Sequence, residues 1–177
     1  MSAIVQKASG TRTIYFADEH LFGPLGIRPV SWRADPRGIA FGAGGMRLTP
    51  RELARLGQLY LQRGRWDGRQ IVPADWVEAS IAPQVAAHGA ASYYGYQWWV
   101  RGSGTFAAHG YGGQRIFVAP HLDLVVVFTA DLAGSGPSTI LTSYVIPAAT
   151  AAEPLPENPD GVARLQARIA GIQGGAP

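Results

Sequence analysis

The sequence predicts an α+β fold in which an antiparallel β-meander is flanked by helices. Three short runs rich in β-branched and aromatic residues, 105–109, 114–119 and 122–130, are separated only by turns that contain glycine or proline. Runs of this kind, joined by short turns, are typical of antiparallel neighbours. Stretches with helical spacing lie before and after them. At 177 residues, 47% of them hydrophobic, the chain is long enough for one domain with its own core.

The predicted sheet has four strands, the three runs above and an aromatic strand at 94–100, Y-G-Y-Q-W-W-V. We interpret the aromatic run as one strand with alternating faces. The segment Leu124–Phe128 is apolar at every position and does not alternate. A continuous apolar run is typical of a strand covered on both faces. We therefore expect this strand to lie in the centre of the sheet.

The helix that begins after Thr49 has the clearest boundary signals in the chain. Thr49 is a suitable N-cap, Pro50 fits the first helical position, and Glu52 completes a capping box. Gly64 is a suitable terminator, so we predict a helix over 49–63. Further helices are predicted at residues 2–8, 11–22, 73–81 and 138–147.

The remaining segments are connections and a tail. Residues 66–69, Trp-Asp-Gly-Arg, indicate a tight turn, whereas 27–45 and 82–92 have no regular pattern. The tail, residues 151–177, opens with prolines and ends in a short amphipathic helix capped by Asn158. We therefore predict one domain over residues 1–150, followed by this tail.

Composition excludes several classes of function. The chain has no cysteine, which removes disulfides, thiolate zinc sites and cysteine nucleophiles. A net charge of +3 without a basic patch does not indicate a nucleic-acid partner. No apolar run approaches the roughly 20 residues of a membrane span. The glycines at 42–45 are not followed by the Lys-Ser/Thr pair of a phosphate-binding loop, and no cofactor is predicted.

The turn between the second and third predicted strands is the best candidate site. It is longer and richer in glycine than a hairpin needs, so its backbone could approach a ligand closely. It also carries polar side chains. We expect ligand contacts from His109, Gly110, Tyr111, Gly112, Gly113 and Gln114.

Other catalytic arrangements have weaker support. Because a Ser-His-Asp triad is defined by geometry, His109 and His121 remain candidates, yet no Gly-x-Ser-x-Gly elbow is present. A zinc site from His109, His121 and Asp123 fits no usual ligand spacing, and no metal is predicted. His20 and His88 are interpreted as surface or capping residues.

Five blocks, taken in order, resemble the C-terminal part of the serine β-lactamase-like hydrolases. This broad family includes class C β-lactamases, penicillin-binding proteins, carboxylesterases and 6-aminohexanoate-dimer hydrolases. The Gly-Gly-Gln ending of the turn looks most like the amide and ester hydrolases. The blocks are F-G-P-L-G-I (22–27), M-R-L-T-P-R-E-L-A-R-L-G (46–57), G-R-W-D-G-R-Q-I-V-P (64–73), Y-G-Y-Q-W-W (94–99) and G-Y-G-G-Q-R-I-F-V-A-P (110–120).

The resemblance implies three catalytic motifs, of which two are absent. The family uses Ser-x-x-Lys for the nucleophile and its activating lysine, and Tyr-x-Asn or Tyr-x-Ser for a proton-transfer tyrosine. The only lysine is Lys7, with Ile4 where serine is needed, and the only asparagine, Asn158, follows Pro156. No catalytic residue is therefore predicted.

The third motif, Lys-Thr-Gly or a relative, is retained in altered form. It corresponds to Ala108-His109-Gly110-Tyr111, and the resemblance gives the Tyr111 backbone N–H a place in the oxyanion hole. Family members carry the first two motifs upstream of the first matched block, so the chain looks like the C-terminal half of such a hydrolase.

Two functions remain open. The chain is part of a hydrolase that acts on a small-molecule amide or ester when a complementing N-terminal half supplies the nucleophile, or it is a non-catalytic binding module on the same scaffold. An uncovered sheet face would favour self-association or a complementing half. The cellular compartment stays open.

Overall fold

The computed structural model describes residues 1–28, 30–87, 93–131, 136–149 and 156–173, and an antiparallel sheet organises it. The strands in chain order are β1 Ser31–Trp32, β2 Met46–Arg47, β3 Arg65–Trp66, β4 Arg69–Gln70, β5 Val85–Ala86, β6 Tyr93–Tyr94, β7 Trp99–Val100, β8 Phe106–His109, β9 Arg115–Ala119 and β10 Leu124–Phe128. The main sheet has the order β10-β9-β8-β7-β6-β5. An α+β architecture with an antiparallel meander is confirmed, including the pairing of β9 with its two sequence neighbours, β8 and β10.

Helices pack on both faces of this sheet. The helices in chain order are α1 Ser2–Ser9, α2 Thr13–Ala17, α3 Pro50–Leu61, α4 Ala74–Ile81, α5 Gly136–Ile140, α6 Ile146–Ala148 and α7 Pro159–Gln173. Helices α3 and α4 pack on one face and the segment 141–146 on the other. A π-helical turn, Asp18–Phe22, extends α2, and a second one, Leu141–Val145, joins α5 to α6. The predicted helices are confirmed within a few residues at their ends, and the π-helical geometry was not predicted.

The prediction that the last strand is central is wrong, because β10 is the edge of the sheet. Within the described residues it pairs with β9 alone. Each of its five residues is nonetheless half-buried. Val125 and Val127 pack in the cluster under α3, whereas Val126 and Phe128 pack in the cluster under the π-helical turn Leu141–Val145 and α6. A continuous apolar run therefore indicates that both faces of a strand are covered, here by helices. It does not indicate that the strand has a neighbouring strand on each side.

The prediction of one strand over 94–100 is also wrong, because this segment doubles back as a tight hairpin. Tyr94 of β6 lies opposite Trp99 of β7. Gly95 N–H donates to the Trp98 carbonyl at 2.8 Å, and Gln97 adopts a φ of 69°. A Cβ on Gly95 would lie 2.2 Å from the Ser80 carbonyl oxygen of α4. Close packing on α4 thus fixes a turn that the aromatic pattern hides.

Short ladders also occupy segments predicted as irregular. In 27–45, β1 pairs with β2, and β5 adds a final strand from the predicted loop 82–92. These ladders are two residues long, which is too short for a period-two pattern to be recognised in a sequence. The predicted tight turn at 66–69 is confirmed between β3 and β4, with both Asp67 and Gly68 at positive φ. His88 lies outside the described residues.

The core consists of layers on the two faces of the sheet and a third cluster behind α3. Beneath α3 the sheet contributes Trp98, Val100, Phe106, Ile116 and Val118. On the opposite face Ala107, Phe117 and Ala119 pack against Leu141. Behind α3, Leu59 packs with Phe22, Leu25 and Ile27. Helix α3 therefore contributes to two clusters at once.

Helix α3 is fixed at its start by its cap and at its centre by a glycine. Glu52 N–H donates to Thr49 Oγ1 at 3.3 Å, and Thr49 N–H donates to a Glu52 carboxylate oxygen at 2.7 Å, which confirms the capping box. Gly57 is buried against the sheet. A Cβ at this position would lie 2.5 Å from Val125 Cγ1 and 2.9 Å from Ile116 Cγ2. The distance between α3 and strands β9 and β10 therefore depends on residue 57 having no side chain.

The tail forms the expected helix. Gly161 N–H donates to Asn158 Oδ1 at 2.8 Å, which confirms the predicted cap of α7. The apolar residues of α7 are exposed: Val162, Leu165, Ile169 and Ile172. Among the helices of the described ranges, none has both the length and the hydropathy that crossing a membrane requires.

We expect Gly57→Ala to destabilise the fold even though alanine is the better helix former. The helix gains up to about 1 kcal/mol from the change, whereas overpacking of this kind costs about 1–3 kcal/mol. Urea unfolding followed by circular dichroism should show a net loss of about 1 kcal/mol. The matched control is Gly171→Ala in α7, where a Cβ meets open space and no loss is expected. A Gly57→Ala variant as stable as the parent chain would contradict the close-packing account.

Candidate functional site

The candidate site is the turn that joins β8 to β9. After His109 the backbone passes through a 3₁₀ turn, Tyr111–Gly113, and enters β9 at Arg115. Gly112 has a φ of 75° and Gly113 a φ of 91°, values that side chains disfavour. The Gly110 N–H donates to the Gln114 carbonyl at 2.8 Å and closes the turn. Gly112 and Gly113 are therefore needed for the backbone conformation of the turn.

Gln114 anchors the turn to the chain beyond β10. Its side-chain amide donates to the Ala130 carbonyl, and a Cβ on Gly112 would meet the same oxygen at 3.3 Å. Between these residues Tyr111 projects outward, with 99% of its side chain exposed. The turn is thus anchored on one side by the bond from Gln114 to Ala130, and Tyr111 lies on its exposed side.

His109 lies at the end of β8, opposite Arg115 of β9. Its imidazole stacks on the indole of Trp99 with ring centroids 6.0 Å apart. Desolvation by these neighbours, followed by the positive charges of Arg115 and then Arg101, lowers the pKa of His109 below its usual 6.5. Arg115 itself donates to the Ser138 hydroxyl of α5. Near neutral pH the site therefore presents a neutral imidazole, able to donate and to accept a hydrogen bond.

Consecutive residues of β8 serve opposite faces of the sheet. Ala108 packs with the cluster under α3 and lines a cavity of about 700 Å³, named here the hairpin cavity because the β6–β7 hairpin forms one wall. Because side chains alternate along a strand, His109 belongs to the other face, together with Trp99 and Arg115. The turn therefore begins where β8 presents Ala108 to the hairpin cavity and His109 to the opposite face of the sheet.

The other sequence candidates are not brought together. His121 lies in the turn Pro120–Leu122, at the opposite end of β9 from His109, and the five residues of this strand span roughly 13 Å. Asp123 follows at a φ of 47° and leads into β10. Among the described residues no group of three or more His, Asp or Glu side chains could hold a metal ion. The structure therefore does not support the zinc arrangement or a triad that joins the two histidines.

The hairpin cavity was missed by sequence reasoning. Trp98 lies in its lining and is buried, as expected for a core residue, whereas Trp76 and Tyr96 at its wall are half exposed. Residues from α3, α4 and three strands form it together. A sequence pattern shows the spacing within one element, so it does not show that residues of several elements form a cavity. The dense aromatic run at 93–99 was the one feature of the sequence related to this cavity.

The described sheet and helices have the fold of the β-lactamase-like proteins. The family model named Beta-lactamase matches residues 1–150. The chain belongs to this family.

One curated relative is similar over most of the chain. The chain is 30% identical over 136 residues to the 6-aminohexanoate-dimer hydrolase of Paenarthrobacter ureafaciens. This match covers 70% of the chain and 35% of that enzyme. The chain therefore spans about a third of the length of this curated relative.

Solved structures share the fold. A structure from Bacillus anthracis named for a 6-aminohexanoate-dimer hydrolase superposes with a TM-score of 0.71 at 24% identity, over 88% of this chain and 42% of that one. The octameric penicillin-binding protein homologue from Pyrococcus abyssi gives 0.63 at 17% identity, over 83% and 40%. Both likenesses show the same sheet and helices as part of a longer chain.

The lowered pKa of His109 has a definite sign in its effect on stability. The unfolded chain binds the proton near pH 6.5, whereas the folded chain does so only at lower pH, so the stability contribution is complete above 6.5 and is lost as pH falls below it. We expect the His109 resonance in an NMR titration to have a midpoint below 6.5.

Two charge-removing variants test the cause. Arg115→Gln should raise this midpoint, and Arg101→Gln should raise it less, since the Arg115 charge is the larger contribution. A midpoint at or above 6.5 in the parent chain would show that desolvation and the two arginines do not act as described.

Proposed function

We propose that this chain is the C-terminal part of a serine hydrolase that acts on an amide or an ester and that is inactive by itself. The observation that carries the proposal is the turn at 109–114. Its backbone path is fixed by two glycines at positive φ and by the Gln114 anchor. The Ser-x-x-Lys and Tyr-x-Asn motifs of the family are absent from the same chain.

In the assembled hydrolase, the groups needed for acyl transfer would be supplied partly by this chain and partly by the complementing half. A serine outside this chain attacks the carbonyl carbon, a lysine and a tyrosine outside it move the proton, and negative charge develops on the carbonyl oxygen. This chain supplies a backbone donor for that oxygen. The Gly110 N–H is already bonded to the Gln114 carbonyl, so we assign the donor to the Tyr111 N–H.

The remaining turn residues would position the substrate. His109 is neutral, exposed and held by stacking on Trp99, so it can form a hydrogen bond without introducing charge. Gln114 acts through the turn, because its amide is bonded to Ala130. Ala108, in the place of the family's lysine, has no proton to transfer. A backbone donor without a nucleophile cannot form a covalent intermediate, which is why we expect no activity from the isolated chain.

A non-catalytic binding module remains the second candidate. The observation that favours it is the departure at Ala108, which removes the lysine of the third motif within the chain itself. The two candidates differ in one respect. A partial hydrolase gains acylation when an upstream segment is supplied, whereas a binding module does not.

The isolated chain should be neither acylated nor phosphonylated at a serine. After exposure to a fluorophosphonate or to a β-lactam, intact-protein mass spectrometry should show the unmodified mass. A parallel sample of a serine hydrolase that carries the Ser-x-x-Lys motif confirms that each reagent is active. Stoichiometric labelling of one serine in the isolated chain would overturn the proposal.

The outer edge of β10, which pairs with β9 alone in the part of the chain that the structure describes, should promote association. Leu124–Phe128 contains no charged residue and no proline, so it lacks the usual devices that prevent edge-to-edge pairing. We propose that a strand of the complementing half, or of a second copy, pairs here; the Pyrococcus abyssi homologue is described as octameric. Sedimentation velocity should show mass increasing with concentration, and a stable monomer at every concentration would count against this.

A further inference from the structure

The hairpin cavity has the composition of a binding site for an uncharged ligand. Its lining side chains are all uncharged, and the only charge among the lining residues is the α-amino group of Met1. Its volume of about 700 Å³ lies within the range of small-molecule sites. The floor is provided by the sheet and by α3, and the wall by α4 and the β6–β7 hairpin. Lining residues that matter here are Leu56, Tyr60, Trp76, Tyr96, Trp98 and Ala108.

Aromatic rings determine the shape of the cavity. Trp76 of α4 and Tyr96 of the hairpin stack with centroids 5.5 Å apart and an interplanar angle of 14°. Both remain exposed, at 52% and 47% of their side chains. Deeper in, Tyr60 lies 4.5 Å from Trp98, ring centre to ring centre. Flat faces and edges of this kind favour another aromatic ring in an offset-stacked or edge-to-face position.

The hairpin that carries Tyr96 is held rigidly in place. Tyr96 N–H donates to the Ser80 carbonyl of α4 at 2.8 Å, and Gly95 has no room for a side chain against the same oxygen. Gln97 adopts a φ of 69°, which is costly for a residue other than glycine. Strained backbone of this type persists where the surroundings impose it, and it is concentrated at binding sites.

The hairpin also supplies a polar group. The Tyr94 hydroxyl donates to Gln97 Oε1 at 3.5 Å. Within the described residues the amide nitrogen of Gln97 donates to no other group, so it is available to a ligand. An amide N–H₂ is a neutral donor and calls for an acceptor such as a carbonyl oxygen.

We propose that the hairpin cavity binds an uncharged aromatic ligand that carries a hydrogen-bond acceptor, with the ring against Trp76, Tyr96 and Trp98 and the acceptor at Gln97. Every group that forms the site belongs to this chain. Binding therefore does not require the complementing half and does not depend on the proposed hydrolase function.

The probe is 6-propionyl-2-(dimethylamino)naphthalene, an uncharged two-ring ketone whose fluorescence shifts to the blue in apolar surroundings. We expect saturable binding of one equivalent to the intact chain. Trp76→Ala, which removes a half-exposed wall residue, should weaken binding at least tenfold. Phe41→Ala, which removes an exposed aromatic residue elsewhere, should leave it unchanged.

A second comparison keeps the proposal testable if Trp76→Ala affects folding. Gln97→Met should weaken binding of the ketone but not of 2-(dimethylamino)naphthalene, which lacks the carbonyl. The proposal is overturned by equal effects on both probes, by binding that Trp76→Ala leaves intact in a folded variant, or by equally tight binding of the anionic 1-anilinonaphthalene-8-sulfonate. Loss of ketone binding after fusion to an upstream hydrolase segment would also overturn it, because the cavity would then be a seam for protein packing.

Discussion

The close contact between α3 and the β9–β10 pair is the constraint on which the rest of the structure depends. Gly57 lets the helix lie where a single methyl group would meet Val125 and Ile116. From that position α3 covers one face of the sheet and, through Leu59, also closes the cluster around Phe22. The capping box at Thr49 fixes where the helix begins. One glycine thus sets the distance between α3 and the sheet, and the cap sets where along the sheet the helix begins.

The site depends on this packing because the turn at 109–114 leads into β9, one of the two strands that α3 contacts. Ile116, in contact distance of position 57, lies opposite Ala108, and the next pair in the ladder is His109 with Arg115. Backbone in the turn is set by glycines at positive φ and by Gln114, so its donors are positioned without catalytic side chains. The chain belongs to the β-lactamase family and spans about a third of the length of one curated relative. Under the function proposed above, the nucleophile would come from outside the chain.

Sequence patterns predicted the elements well where the signal lies within one element. Thr49, Pro50 and Glu52 gave the start of α3, and glycine and proline separated β8, β9 and β10 correctly. Residues 109–114 do lie at one turn, as the sequence indicated. The sequence did not show that Gln114 is bonded to Ala130, or that Ala108 and His109 lie on opposite faces of the sheet. The failures were non-local in origin. The apolar pattern of Leu124–Phe128 reflects helices on both faces of the strand, but it does not show that the strand lies at the edge of the described sheet. The hairpin at 93–100 depends on Ser80, which belongs to helix α4.

The most direct test is turnover by a fusion in which residues 1–150 replace the corresponding part of the Paenarthrobacter ureafaciens hydrolase. In this fusion Gly110→Val should lower turnover by about 10²–10³, the usual effect of losing one oxyanion donor. The added Cβ would lie 3.1 Å from Gln114 Cβ and would shift the turn, whereas Gly102→Val, in open space, serves as the matched control. His109→Ala should change substrate preference and retain most turnover. Full activity with Gly110→Val, or complete loss with His109→Ala, would contradict a backbone role for the turn.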